Sequence, residues 1–422
     1  MSDRVNAGVL ALGCAGLEQV LAFRAPADAV LRRFFKEHAQ LGRRDRGFIA
    51  ETVFALLRRF SYYSAVVRGR DARRLFIAAA STLPAPERRD LIPALTLAER
   101  QWLTALDYEP PTARAADVVA ELPHWLFARL RATLPQADVL AIGKAMQRAA
   151  PLDLRVNTLL AAREQALAAL RESGIEAEPT RYSPLGLRLA GKPALEKHPL
   201  YLSGQLEVQD EGSQLLGLLL APRRREMVVD FCAGAGGKTL LLGQLMRSEG
   251  RLYAFDVSER RMLRFRKRLA RARLSNVHPE VIAHENDTRI KRLSGKVHRV
   301  LVDAPCTGTG TLRRNPDLKW RLSESDLDDL VAKQAAILEA AARLLRPGGR
   351  IEYATCSVLR EENDGIVDDF LARHPEYVEL DCGRALNEAG IAIDCGARLR
   401  LMPHTHRTDG FFAALLERRA SE

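Results

Sequence analysis

The sequence predicts a three-part protein: an α/β, doubly wound domain in the C-terminal half, preceded by a small α+β module and an all-helical domain. Three observations carry this. From about residue 211, apolar runs of strand length (EMVVDF, GRLYAFD, HRVLVDA, GRIEYAT) alternate with helical segments, as in a parallel sheet covered on both faces. A glycine-rich turn, DFCAGAGGKT at 230–239, joins the first of these strands to a helix. Two cysteines, Cys306 and Cys356, follow two of the strands, where reactive groups of open α/β sheets gather.

Residues 1–145 read as helices. RDRGFIAETVFALLRRFSYYSAVV places Phe48, Ile49, Val53, Leu56 and Leu57 on one face, with arginines elsewhere. Pro84, Pro86, Pro93, Pro110, Pro111, Pro123 and Pro135 punctuate the later helices. The opening stretch AGVLALGCAGL, behind Arg4, loosely resembles a lipoprotein leader. It runs into Glu18 and Phe23 at helical spacing and is read as the first helix. Residues 151–210 change character: LDLRVNT, EAEPTRY and LGLRLA read as strands around the helix REQALAALRESG, which stops at Gly174. In 211–422, RPGG at 346–349 reads as a turn before the Cys356 strand, and DGFFAALLER as a last edge strand.

The 422 residues suffice for two or three domains, and 47% hydrophobic with 28% charged content is ordinary for a folded protein. The net charge of +11 comes mostly from arginine, clustered at Arg43, Arg44 and Arg46, at Arg58 and Arg59, at Arg223 to Arg225, and densest in ERRMLRFRKRLARARL at 259–274. Arginine pairs with phosphate, so a nucleic-acid partner is one reading and a solvated surface the other. In the 259–274 run, Met262, Leu263, Phe265 and Leu269 are expected to pack inward, with Arg264 and Arg268 free to meet phosphate. The six cysteines include no C-x-x-C pair, so no metal site is expected, and free thiols suit a reducing cytoplasm. No stretch approaches the ~20 apolar residues of a membrane span.

The turn Cys232, Ala233, Gly234, Ala235, Gly236, Gly237, Lys238 admits two cofactors, because glycines let a ligand approach the backbone and a helix N-terminus favours an anion. A P-loop for a nucleoside triphosphate is nearly matched, but its first glycine position holds Cys232, and Ala304 follows Asp303 where a catalytic acid would stand. Asp256 at the end of GRLYAFD decides for S-adenosylmethionine, since an acid there is placed to accept ribose hydroxyls and a P-loop protein has no use for it. Asp287, after a third strand, is expected at the adenine amino group. Pyrimidine chemistry gives the cysteines a purpose: a thiolate adding at C6 of cytosine makes C5 nucleophilic enough to take a methyl group. Asp303, protonated or sharing a proton, can hydrogen-bond N3. The residues alone leave open which thiol attacks.

These motifs resemble the RNA cytosine-5 methyltransferases of the Sun/Fmu/NOP family. YLSGQLEVQDEGSQL matches the segment ahead of the cofactor loop, RVNT at 155–158 the RNA-side motif, DAPCTGTGTLRRNPDLKW and YATCSVLREEND the two cysteine motifs, and MPHTHRTDGFFAALLER the C-terminal strand. LGRRDRGFIAETVFALLRR is similar to the NusB-like RNA-binding domain of the branch that modifies bacterial 16S ribosomal RNA.

The resemblance implies a Rossmann-like class I methyltransferase fold at 211–422, an RNA-side module at 151–210 and a NusB-like domain at 1–145. It implies Cys356 as nucleophile and Cys306 as the thiol assisting product release. Asp303 would sit near cofactor and base together with Lys238, the loop Cys232 to Lys238 would hold S-adenosylmethionine, and Asp256 and Asp287 would meet ribose and adenine. The loop departs from the family's CAAPGGKT at Gly234 and Ala235 and keeps both later glycines. The implied partner is RNA, with 16S ribosomal RNA first and tRNA or another RNA as alternatives; no obligate protein partner is evident. A DNA cytosine methyltransferase using Cys306 and a non-catalytic assembly factor are the competing readings.

Overall fold

A computed structural model describes residues 4–84, 88–108 and 115–420. Pro86, Pro110 and Pro111 lie outside the described residues. The chain divides into two compact units, Met1–Ala149 with Thr311–Glu324, and Ala150–Gly310 with Ser325–Glu422.

The first unit is helical. Its helices include Ala7–Leu21, Ala27–Glu37, Arg43–Arg58, Phe60–Val66 and Ala72–Ser81. Phe48, Ile49, Val53, Leu56 and Leu57 are all buried, as their spacing predicts. Gly13 lets the Phe76 ring approach: a Cβ there would lie 2.4 Å from its tip. The unit recruits a distant piece of chain, the segment just beyond the Cys306 loop. The Trp320 ring meets Phe60 edge-on at 5.5 Å, and its Nε1–H donates to Leu57 O. Lys319 is buried and donates to Arg58 O; burial lowers its pKa to about 8.

The second unit holds two sheets. The first contains β1 (Leu152–Val156), β2 (Ala177–Pro179), β3 (Gly186–Leu189) and β4 (Leu206–Val208), in the order β2-β3-β1-β4 and antiparallel throughout. The helix Arg163–Glu172 covers it with Ala166 and Leu170. The second sheet is built from β5 (Met227–Asp230), β6 (Arg251–Asp256), β7 (Val277–Val281), β8 (Val297–Asp303), β9 (Leu345–Thr355), β10 (Tyr377–Leu380), β11 (Leu399–Leu401) and β12 (Phe411–Arg418). Its order is β10-β12-β9-β8-β5-β6-β7, with β11 also on β12. The five strands β5 to β9 pair in parallel. From β5 the chain steps outward to β6 and β7, then returns past β5 to β8 and β9, so the crevice of a doubly wound sheet opens between the ends of β5 and β8. One face packs on the helices Glu211–Leu220, Gly237–Leu245 and Glu259–Ala272, the other on Glu324–Ala342 and Asp364–Arg373.

Three expectations change. DGFFAALLER is interior: β12 runs antiparallel between β9 and β10, and six of its eight residues are buried. An edge strand and an antiparallel insertion carry the same local pattern, so only pairing separates them. RPGG lies within β9, where the register to β8 jumps from Val297↔Leu345 to Arg299↔Arg350. The turn is a bulge in the strand, permitted by Gly348 at φ +72°. Leu263 faces outward, 54% exposed, whereas Met262 and Phe265 are buried.

The RVNT motif is an internal clamp. Arg155, at the end of β1, is 2% exposed and donates to Gln209 Oε1 (2.6 Å), Gln244 Oε1 (2.5 Å) and Gly237 O (3.5 Å). Asn157 donates to Gly204 O and Ala272 O. The small sheet is thereby tied to both ends of the Gly237–Leu245 helix and to the end of the Glu259–Ala272 helix. Burial lowers the Arg155 pKa to about 10, and only neutral acceptors touch the guanidinium. Arg155→Ala strips both glutamine Oε1 atoms of their donor in a closed site, so it should cost about 3 kcal/mol in urea unfolding.

Candidate active site

The ends of β5, β6, β8 and β9 surround a pocket of about 280 Å³. Phe231, Val257, Ile282 and Ile337 make its apolar walls, and Asp256, Glu285, Asp303, Cys306, Lys333 and Cys356 supply its chemistry.

The glycine turn is held from three sides. Asp256 accepts the Gly234 N–H at 2.9 Å and the Ser258 N–H at 2.7 Å, with Arg261 3.5 Å away. Arg268 donates to Ala235 O. Gly234 sits at φ +57° and Gly236 at φ +81°, both in the left-handed region. A Cβ on Gly234 would come no nearer than 4.0 Å to Arg261 and Cys232 O, whereas one on Gly236 would lie 1.9 Å from the Phe265 ring. The two glycines should therefore separate in urea unfolding: Gly234→Ala should cost about 1 kcal/mol from backbone conformation alone, and Gly236→Ala about 3 kcal/mol with the clash added.

Beneath the turn, Asp230 accepts from Thr239 Oγ1 at 2.6 Å, and its other oxygen is buried without a hydrogen bond. Burial raises its pKa to about 7 despite that bond. The folded state then holds a proton that the unfolded chain has already released, between its ordinary value near 4 and pH 7. Stability is fullest below that range and falls as pH rises through it. Asp230→Asn should remove this slope, gaining about 2–4 kcal/mol on the wild type between pH 4 and pH 8 in paired denaturation curves.

Lys238 Nζ donates to Asp303 Oδ2 at 2.7 Å. Burial alone would lower the lysine's pKa, but the Asp303 charge and hydrogen bond outweigh it and the net direction is upward. Lys238 is close enough to Cys356 for their charges to interact, and it lies 5.7 Å from the Phe411 ring centroid. The two thiols meet, with Sγ of Cys306 and Cys356 3.4 Å apart. The hydrogen bond with Cys356, then burial, push the Cys306 thiol well above its usual range. Burial does the same to Cys232, leaving it a protonated lining group.

A buried scaffold holds the thiols together, and it escaped the sequence reading. Glu362, fully buried, accepts from Thr307 N–H (2.7 Å), Thr307 Oγ1 (2.5 Å) and Gln334 Nε2 (2.9 Å). Gln334 also donates to Pro305 O. Gly310 N–H donates to Cys356 O at 2.8 Å, and Gly410 N–H to Gly310 O at 2.8 Å. A Cβ on Gly310 would sit 2.2 Å from Gly410 O, so glycine is required there. The only sequence signal was an acid pair, Glu361-Glu362, six residues past a candidate nucleophile.

The structure brings Cys232, Gly234, Asp256, Asp303, Cys306 and Cys356 to one pocket, with Lys238 bonded to Asp303. Ala233, Ala235, Gly236 and Gly237 shape the turn without lining the pocket. Asp287 is not among the lining residues: its carboxylate accepts the Ala283 and Arg289 N–H groups and caps the helix Thr288–Lys291. Glu285, two residues earlier, does line the pocket.

The description "16S rRNA methyltransferase RsmB/F" matches residues 217–417, and the ferredoxin-like domain of RsmF/B-like methyltransferases matches residues 122–196. This chain belongs to the RsmB/F methyltransferase family. Ribosomal RNA small subunit methyltransferase B of Pectobacterium atrosepticum is 37% identical over 296 residues, 70% of this chain and 66% of that relative, just under two thirds of its length. The probable counterpart in Synechocystis is 31% identical over 300 residues, again covering 70% and 66%. Among solved structures, PH0851 is similar over 98% of this chain and 99% of its own, with a TM-score of 0.80 and 26% identity. A methyltransferase homolog from Pyrococcus horikoshii is similar over 70% of this chain and all of its own, with a TM-score of 0.56 and 27% identity.

Proposed function

We propose that this chain is an S-adenosylmethionine-dependent RNA cytosine-5 methyltransferase acting on small-subunit ribosomal RNA in the cytoplasm. The observation that carries the reading is the contact of two free thiols beside a lysine–aspartate pair, in the same pocket as the glycine turn and Asp256. The names of the relatives, ribosomal RNA small subunit methyltransferase B, favour the same substrate.

The residues fit the cofactor. The left-handed turn at Gly234 and Gly236 leaves a backbone cradle, Asp256 keeps lone pairs beyond its two backbone bonds for a ribose diol, and Val257 and Ile282 offer apolar walls to a flat base. Glu285 is the lining acid for the adenine edge. When bound there, the cofactor supplies an electrophilic methyl group.

Cys356 is the nucleophile. Its thiolate adds to C6 and forms a covalent C–S bond, which places electron density on C5. Asp303 and Lys238 face the polar edge of the ring, where one accepts and the other donates. After C5 is methylated a base, solvent water included, takes the C5 proton; the C5–H electron pair re-forms the C5–C6 double bond, and the Cys356–C6 bond breaks to return the thiolate. Cys306, held protonated against Cys356, attends that release. The helical unit, NusB-like with its basic clusters, serves to hold RNA.

The test uses tritiated methyl donor, unmodified 16S RNA and mapping of 5-methylcytosine. Cys356→Ala should lower turnover by about 10³-fold or more, and Cys306→Ala should accumulate a covalent protein–RNA adduct on denaturing gels. Absence of label at every cytosine would end the reading, and an exchange of the two phenotypes would reverse the thiol roles.

A further inference from the structure

The helix Glu259–Ala272 carries more cations than the fold uses. No acidic residue occurs from 260 to 279. Three of its arginines are committed: Arg261 to Asp256, and Arg268 and Arg271 to Glu207, the latter also over the Tyr201 ring at 3.9 Å. Arg268, for which phosphate contact and a solvated face were the two sequence readings, instead holds Glu207 and the glycine turn.

Arg260, Arg264 and Lys267 are different. They follow at i, i+4 and i+7, one row along the helix, and all are exposed. Among the described residues none of the three has an ion-pair or hydrogen-bond partner, and Arg266 flanks them in the same condition. Like charges at this spacing repel and weaken a helix, and no interspersed acid relieves them. Stability therefore gives no reason for the row. Its place gives one, because Val257 and Arg261, at the start of the same segment, line the pocket that holds Cys306 and Cys356.

We propose that the Arg260–Arg264–Lys267 face receives the phosphate backbone of the RNA beside the pocket. This rests on the RNA reading above and deepens it by naming a contact surface. A polyanion matches a row of unpaired cations, and a membrane surface does not suit it: Leu263 is the single large apolar side chain exposed on this helix.

The experiment measures binding of a 16S RNA transcript by the full chain across a potassium chloride series, with methylation assayed in parallel. The triple variant Arg260→Gln, Arg264→Gln, Lys267→Gln should bind more weakly, with the slope of log K against log salt shallower by about 2 for single-stranded contact. Turnover at saturating RNA should be unchanged, because no residue of the pocket is altered. The charge-keeping triple Arg260→Lys, Arg264→Lys, Lys267→Arg should restore the slope. Neutralising Lys296 and Arg346, at the opposite end of β8 and β9, should leave it as in wild type. If wild type binds and methylates RNA while the neutral triple keeps the full slope, or if the distant pair lowers it equally, the proposed surface is wrong and the methyltransferase reading stands. If wild type neither binds nor methylates RNA, the reading itself falls and this surface with it.

Discussion

The pocket depends on one buried carboxylate. Glu362 collects two bonds from Thr307 and one from Gln334, and so ties the loop after β8 to the loop after β9. Those loops come from strands adjacent in space but far apart in the chain. Without a shared anchor, two thiols on separate loops would have no reason to lie 3.4 Å apart. The Thr307 N–H satisfied at Glu362 is also a donor that a closed environment could not leave bare. The Gly310 and Gly410 contact completes the scaffold from β12.

The site combines groups whose protonation is set by their neighbours. Lys238 keeps its charge because Asp303 is bonded to it, and that charge acts on Cys356. Cys306 keeps its proton because it is bonded to the other thiol and buried. Asp230, below the same loop, supports the turn through Thr239.

Much of the fold was legible in the sequence because the signals were local. Alternation of apolar runs with helices announced the parallel sheet, and the buried face of Arg43–Arg58 followed from its 3.6-residue period. Pairing was not legible: the interior place of β12 and the bulge at 346–349 are properties of two strands at once. At the site, the two cysteines, Asp303, Asp256 and the glycine turn were visible through residue type and strand-end position. The bonds that Arg155 and Arg268 make inside the fold were not legible either, because their partners Gln209, Gln244 and Glu207 come from distant parts of the chain.

The sequence by itself determined the strand-end chemistry: a thiol three residues past Asp303, a second thiol after Thr355, and a glycine turn before Lys238. These follow from covalent order and residue type, which survive any arrangement of distant elements. The tertiary structure decided which groups meet. It brought the thiols into contact, bonded Lys238 to Asp303, substituted Glu285 for Asp287 at the pocket wall, and sorted the arginines of 259–272 into those that hold the fold and those left free. That sorting turns on partners brought from β4 and β6, whose Glu207 and Asp256 neutralise only the arginines within their reach.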